Sequence, residues 1–125
     1  MGRRKKFNRL PEAKQLAKQL FLHRVWHGYT QENIANVLEV TFQQYQKIER
    51  CENRLIAEQL LKICKTFKWD PAIIMLADPV ATLNEWEQNK PRHKKAGIDS
   101  AVNRIHKKFY AIDVNASNRY YNERN

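Results

Sequence analysis

Two short segments, each preceded by a threonine, constrain the fold of this sequence more than any other feature. Thr30 precedes residues 31–38 and Thr41 precedes residues 42–49, and apolar residues repeat at three- and four-residue spacing in both. A threonine before a helix accepts a hydrogen bond from the unpaired N–H groups of its first turn. Only two residues separate the first segment from the second cap. The pattern therefore predicts two helices joined by a tight turn, a helix-turn-helix.

The remaining apolar residues also follow helical spacing, and no alternating run indicates a strand, so we expect an all-α protein. Further helices are expected over 12–27, around 60–67, from Asp70 to about Leu76, and over 98–112. Residues 84–88, around Trp86, are a candidate for a short helix. The expected organisation is a basic N-terminal arm over 1–11, a helix-turn-helix domain over 12–76, a linker over 77–97, and a C-terminal helix with a loose tail over 98–125.

The chain is strongly basic, with a formal net charge of +10. Residues 1–27 hold eight Lys or Arg and one acidic residue, whereas residues 28–76 hold six of each. An excess of this size favours a polyanionic partner, nucleic acid first. We expect the arm to contact DNA phosphates through Arg3, Arg4, Lys5, Lys6 and Arg9.

Residues 28–41, GYTQENIANVLEVT, resemble the first half of the helix-turn-helix of phage repressors of the Cro and repressor type. Residues 42–50, FQQYQKIER, resemble the recognition helix of that family. The resemblance covers roughly residues 14–76 and extends to Leu60, Lys62, Ile63, Phe67 and Asp70. It implies a five-helix lambda-repressor-like domain, here with a helical C-terminal extension.

A recognition helix places one face in the major groove of DNA. Glutamine amides pair with adenine edges, lysine with guanine or phosphate, and an apolar ring with a thymine methyl. Helix N-termini and nearby side-chain amides hold phosphates. We therefore expect base contacts from Phe42, Gln43, Gln46 and Lys47, and phosphate contacts from Thr30, Gln31, Thr41 and Gln44.

In the repressor family, an arginine at the position of Arg24 pairs with a glutamate at the position of Glu49, and both residues are present here. The resemblance thus implies a structural ion pair between the first helix and the recognition helix. Glu39 stands where the family usually has glycine. If Glu39 adopts the left-handed conformation, the strain costs roughly 1 kcal/mol.

The C-terminal segment has an apolar stripe, the C-terminal seam, at successive spacings of four, three, four and three residues. A helix of this length needs a partner surface for such a stripe. The partner is either a second copy of the chain or the protein's own helical domain, and the sequence leaves both open. The seam consists of Ile98, Val102, Ile105, Phe109 and Ile112.

The leading hypothesis is a cytoplasmic transcriptional regulator that binds a pseudo-palindromic site on double-stranded DNA as a homodimer, with no membrane association. One alternative is an antitoxin-type regulator that also binds a protein partner through residues 77–125. Another is an RNA-binding or protein-interaction module. The sequence contains no catalytic motif or phosphate loop, so we expect neither an enzyme nor a cofactor. His23 and His27 have a spacing that permits metal ligation, but no third ligand has fitting spacing, so we expect no metal site. Cys51 and Cys64 do not form a CxxC pair, and reduced thiols are expected.

Overall fold

The computed structural model describes residues 10–90 and 95–124, and within these ranges the protein consists of α-helices without a strand. The all-α expectation is therefore confirmed for the described part of the chain. The helices are α1 (Pro11–Trp26), α2 (Gln31–Leu38), α3 (Phe42–Glu49), α4 (Ala57–Phe67), α5 (Pro71–Leu76), α6 (Pro79–Gln88) and α7 (Lys95–Arg124).

Helix α1 is the centre of the packing, and it is buried on two sides. On one side it joins α2 to α5 around Leu20, where Ile34, Ile63 and Ile74 are fully buried. On the other side, Phe21, Leu22 and Val25 pack against α6 and α7. A helix that buries apolar residues on both sides lies inside a fold and not at its edge.

The segment expected to be a linker over 77–97 instead contains α6. Asp78 and Pro79, which were expected to end the preceding helix, also begin the next one. The Asp78 carboxylate accepts a hydrogen bond from the Ala81 N–H at 3.0 Å, and proline suits the first helical position because its missing N–H is not needed there. Leu83 is fully buried beside α1, and the Gln19 amide donates to the Thr82 hydroxyl at 3.0 Å.

The C-terminal seam packs against the protein's own α1, which is the second of the two alternatives left open by the sequence. Val102, Ile105 and Phe109 join the core around Phe21, and Ile112 joins a small cluster with Ala17 and Cys51. All four side chains are buried, so they are not a free surface for self-association as the other alternative required. The side chain of the fifth member, Ile98, lies outside the described residues.

The C-terminal part of α7 differs from the loose tail that the sequence predicted. The backbone of α7 remains helical to Arg124, whereas a loose tail was expected after Asp113. The arm residues 1–9 lie outside the described part of the chain. Among the helices that the structure describes, none combines the length and the apolar character that a membrane crossing requires.

Candidate nucleic-acid interface

Helices α2 and α3 begin with the same reciprocal arrangement of hydrogen bonds. The Asn33 N–H donates to the Thr30 hydroxyl at 3.0 Å, and the Thr30 N–H donates to the Asn33 side-chain oxygen at 2.8 Å. Thr41 and Gln44 repeat this at the start of α3, at 3.0 and 2.8 Å. Each arrangement satisfies two backbone donors that a helix N-terminus otherwise leaves unpaired. The starting residue of both helices is thereby fixed by local chemistry.

The turn between the two helices depends on a left-handed residue and a small one. Glu39 has φ 58° and ψ 41°, the conformation that favours glycine. A hydrogen bond of 3.1 Å from the Val40 N–H to the Ala35 carbonyl closes the turn. Ala35 is buried where α2 and α3 cross, as expected from its size. An exposed ion pair of 3.1 Å joins Glu39 to Lys62 on α4.

Helix α3 has one buried and one accessible face. Its buried face holds Tyr45, Ile48 and Glu49. The base-contact candidates share the other face, where Phe42, Gln43 and Lys47 are exposed and Gln46 is half-buried. The structure therefore brings these four side chains together on one accessible surface.

The phosphate-contact candidates have roles within the protein that the sequence did not reveal. The side-chain oxygens of Thr30, Thr41 and Gln44 are used in the two caps, which leaves the hydroxyl protons and the Gln44 amide NH₂ as donors. The Gln31 amide donates one N–H to the Glu49 carboxylate at 3.0 Å, which leaves its second N–H as a donor, so its phosphate contact stays a prediction. The arm candidates, Arg3, Arg4, Lys5, Lys6 and Arg9, lie outside the described residues.

A buried polar network connects α1, α2 and α3. The Arg24 guanidinium donates twice to the Glu49 carboxylate, at 2.6 and 3.0 Å, and once to the Tyr29 carbonyl at 2.9 Å. Glu49 is fully buried, and Arg24 is 6% exposed. Burial, and then the hydrogen-bonded Glu49 carboxylate, raise the pKa of Tyr45 well above its ordinary value, so its hydroxyl remains a donor. The two hydrogen bonds between Arg24 and Glu49 thus fix the end of α3 relative to α1.

An open groove of about 530 Å³ lies beside the first turn of α2. Its lining includes Arg24, Thr30, Gln31, Glu32 and Phe42 from the helix-turn-helix region, together with Arg104 from α7. The sequence placed Arg104 off the C-terminal seam but gave no sign of the element that it faces. Only the docking of α7 on α1 reveals that a basic side chain reaches this groove.

A second polar cluster lies away from this surface. His23 is buried between Trp69 and Trp86, with ring-centre distances of 5.3 and 4.8 Å, and His27 stacks on Trp69. No group of three or more His, Cys, Asp or Glu side chains suited to a metal ion occurs in residues that the structure describes. These rings form part of the packing between α1, α6 and the end of α4.

Comparisons of this chain with family models, curated proteins and solved structures find no match. The resemblance to phage repressors therefore stays an expectation from the sequence of residues 14–76. The geometry of the site consists of two capped helices, a left-handed turn, an accessible α3 face and a buried ion pair behind that face.

Proposed function

We propose that this protein is a sequence-specific DNA-binding transcriptional regulator that places α3 in the major groove. In this proposal, residues 12–76 are a five-helix domain of the lambda-repressor type. The accessible α3 face is the observation that supports it most, because two glutamines, a lysine and an aromatic ring lie there side by side. These groups match the donor, acceptor and methyl pattern that the major groove presents.

The dimensions of α3 agree with this role. Eight residues form a helix about 12 Å long, which is close to the width of the major groove. Base contacts also require a rigid helix, since a shift of its axis would move every side chain relative to the base edges. The buried bond between Arg24 and Glu49 supplies that rigidity from behind. The arm residues complete the proposal as contacts to the phosphate backbone.

The antitoxin alternative assigned a protein partner to residues 77–125. Four apolar side chains of that extension, Leu83, Val102, Ile105 and Phe109, are buried against α1, whereas Val80 and Tyr110 are exposed. A partner of the extension would therefore bind a surface other than the seam. A homodimer on a pseudo-palindromic site remains part of our proposal, and the contact would involve another surface. Leu76 at the end of α5 is 80% exposed and is the strongest candidate for that contact.

Selection of bound duplexes from a random pool tests the proposal directly. We expect a pseudo-palindromic motif with half-sites about one helical turn, roughly 34 Å, apart. Gln43→Ala or Gln46→Ala should each cost on the order of 1–3 kcal/mol on the selected site and relax one base position. Asn84→Ala on α6 is the matched control, because it removes an exposed amide away from α3.

Two outcomes would reject the proposal. One is a selection that enriches no motif, which would exclude sequence-specific binding. The other is wild-type affinity with wild-type motifs for both glutamine variants, which would show that α3 does not contact bases. Enrichment of single half-sites would reject the dimer while leaving base recognition by α3 in place. Sedimentation of Leu76→Asp beside the wild type then tests the α5 surface.

A further inference from the structure

The helix-turn-helix region of this chain has no net charge of its own with which to attract DNA. Residues 28–76 contain six basic and six acidic side chains. Duplex DNA has a phosphate charge about every 1.7 Å along its axis, and most protein affinity for it comes from basic groups near those phosphates. Basic groups from other parts of the chain would therefore raise the affinity of this region for DNA.

The docking of α7 decides which of its side chains face that region. Val102, Ile105, Phe109 and Ile112 are buried, and this fixes the rotation of α7 about its axis. By helical geometry, Lys107 then points directly away from the buried side, and it is exposed. Positions 104 and 108 lie together on one flank, and positions 106 and 113 lie on the other.

The two flanks of α7 differ in charge. On one flank, Arg104 lines the groove beside Thr30, and Lys108 packs its amine 5.6 Å from the centre of the Phe21 ring. On the other flank, the Asp113 carboxylate forms an ion pair of 2.9 Å with Lys18. The acidic group is thus neutralised on the far side. The flank next to α2 presents two cations.

Lys108 lies close enough to the buried network to interact with it. Burial lowers the pKa of Lys108, while Glu49 raises it. Arg24 and Arg50 also lower it, because they place positive charge nearby. Glu52 also raises it, and the two carboxylates pair with the two arginines, Glu49 with Arg24 and Glu52 with Arg50 at 3.3 Å. Lys108 thus adds a positive charge beside two ion pairs, and that charge would attract a nearby phosphate.

We propose that α7 provides a second phosphate-binding edge, in which Arg104 and Lys108 contact the DNA backbone next to the first turn of α2. This inference depends on the proposed function and extends it, since it adds backbone contacts from outside the helix-turn-helix. The two residues are positioned by the seam and contribute affinity without base recognition.

The test is the salt dependence of binding to the duplex selected for the wild type. The variant Arg104→Gln with Lys108→Gln removes both cations, and Lys107→Gln is the control, because it removes an exposed cation of the same helix that points directly away from the seam. Each lost phosphate contact should reduce the slope of log K against log salt by about 0.9. Between 50 and 200 mM salt, the paired variant should therefore lose about tenfold less affinity than the wild type does.

Circular dichroism and urea unfolding verify that the variants remain folded, and a second selection should return the same motif. A paired variant whose slope equals that of Lys107→Gln would overturn the inference while leaving α3 as the recognition helix. An equal loss of affinity at every salt concentration would also overturn it, because it would reflect altered packing. If the wild type binds no duplex, both the proposed function and this inference are wrong.

Discussion

Lowering the pH from 7 to 4 should destabilise this protein through His23. Its side chain is 2% exposed and lies between Trp69 and Trp86. The Nδ1–H of its ring donates to the Gln19 carbonyl at 2.8 Å when the imidazole is neutral. Burial without a carboxylate in hydrogen-bond contact favours the uncharged ring. Acid must therefore charge a group that the fold holds neutral.

The magnitude follows from the pKa of His23, which is lowered from 6.5 to about 4. Burial is the main cause; the hydrogen bond to Gln19 opposes it, His27 adds a smaller lowering effect and Asp70 a small raising effect. Below pH 6.5 the His23 side chain is protonated in the unfolded chain, whereas in the folded chain it stays neutral until about pH 4. Stability is therefore lost as the pH falls through this window. The loss amounts to about 3 kcal/mol, a large part of the 5–15 kcal/mol typical of a domain.

Urea unfolding at a series of pH values from 7.5 to 4 measures this loss. His23→Phe keeps an aromatic ring between the tryptophans and removes the titration, so its stability should fall less steeply below pH 6.5. His106→Gln is the control, because it removes an exposed histidine from α7. The ring protons of His23, followed by NMR, should not titrate until about pH 4.

Protonation of carboxyl groups contributes to acid unfolding in proteins generally, so the comparison with His23→Phe isolates the contribution of His23. An equal pH dependence in wild type and His23→Phe would refute the reasoning. An NMR pKa for His23 near 6.5 would refute it as well, since it would show that the folded chain accepts the proton freely.

Three further perturbations test the elements that position α3. Arg24→Ala and Glu49→Gln should each destabilise the fold by about 3–5 kcal/mol, with a double variant less damaging than their sum in urea unfolding; additive losses would contradict the ion pair. Glu39→Gly should stabilise by roughly 1 kcal/mol relative to Glu39→Ala, because both lose the exposed ion pair but only glycine relieves the positive φ; equal midpoints would contradict this. Ile105→Ala should cost about 2–5 kcal/mol without changing the sedimentation coefficient, whereas a shift to a smaller species would return the seam to a dimer interface.

The central helices could be predicted from the sequence because their boundaries are set by neighbouring residues. Thr30 and Thr41 each make their capping bonds to a residue three positions away, so the signal is complete within one turn. The same is true of Asp70, whose carboxylate accepts from the Ala72 N–H at 2.9 Å. The positive φ at Glu39 follows from the tightness of the turn between α2 and α3.

The start of α6 was missed, although residues 84–88 were a helix candidate, because Asp78 and Pro79 also resemble the end of a helix. A proline after an aspartate stops the helix before it and is also favoured at the first position of the helix after it. The apolar content of α6 is low, with Leu83 as its only fully buried side chain. Its place in the fold is set by the Gln19 amide, which donates to Ala77 and Thr82 from 58 and 63 positions earlier in the chain. The residues around α6 in the sequence give no sign of these hydrogen bonds to Gln19.

The roles of Gln31 and Arg104 were beyond sequence reasoning for the same reason. Each role depends on a side chain from a different helix. Apolar periodicity predicts the helix face on which a residue lies, but it does not predict which element packs against that face. Gln31 stands in the first turn of α2, which suits an anion, and one of its N–H groups donates to the buried Glu49 carboxylate. A buried carboxylate needs several donors around it, and nothing in the sequence indicates that Gln31 is one of them.

The position of α1 explains why the C-terminal extension and the recognition surface cannot be treated as separate modules. One side of α1 holds α3 through Arg24, and residues on the other side hold α7. Cys51, two residues after the end of α3, is also part of the contact with α7, because it is buried with Ile112. Its φ is 61°. A residue in this strained conformation persists only where surrounding packing holds it. The docking of α7 therefore helps to define where α3 ends, and a change in the seam should alter α3 even though no seam residue lies on its accessible face.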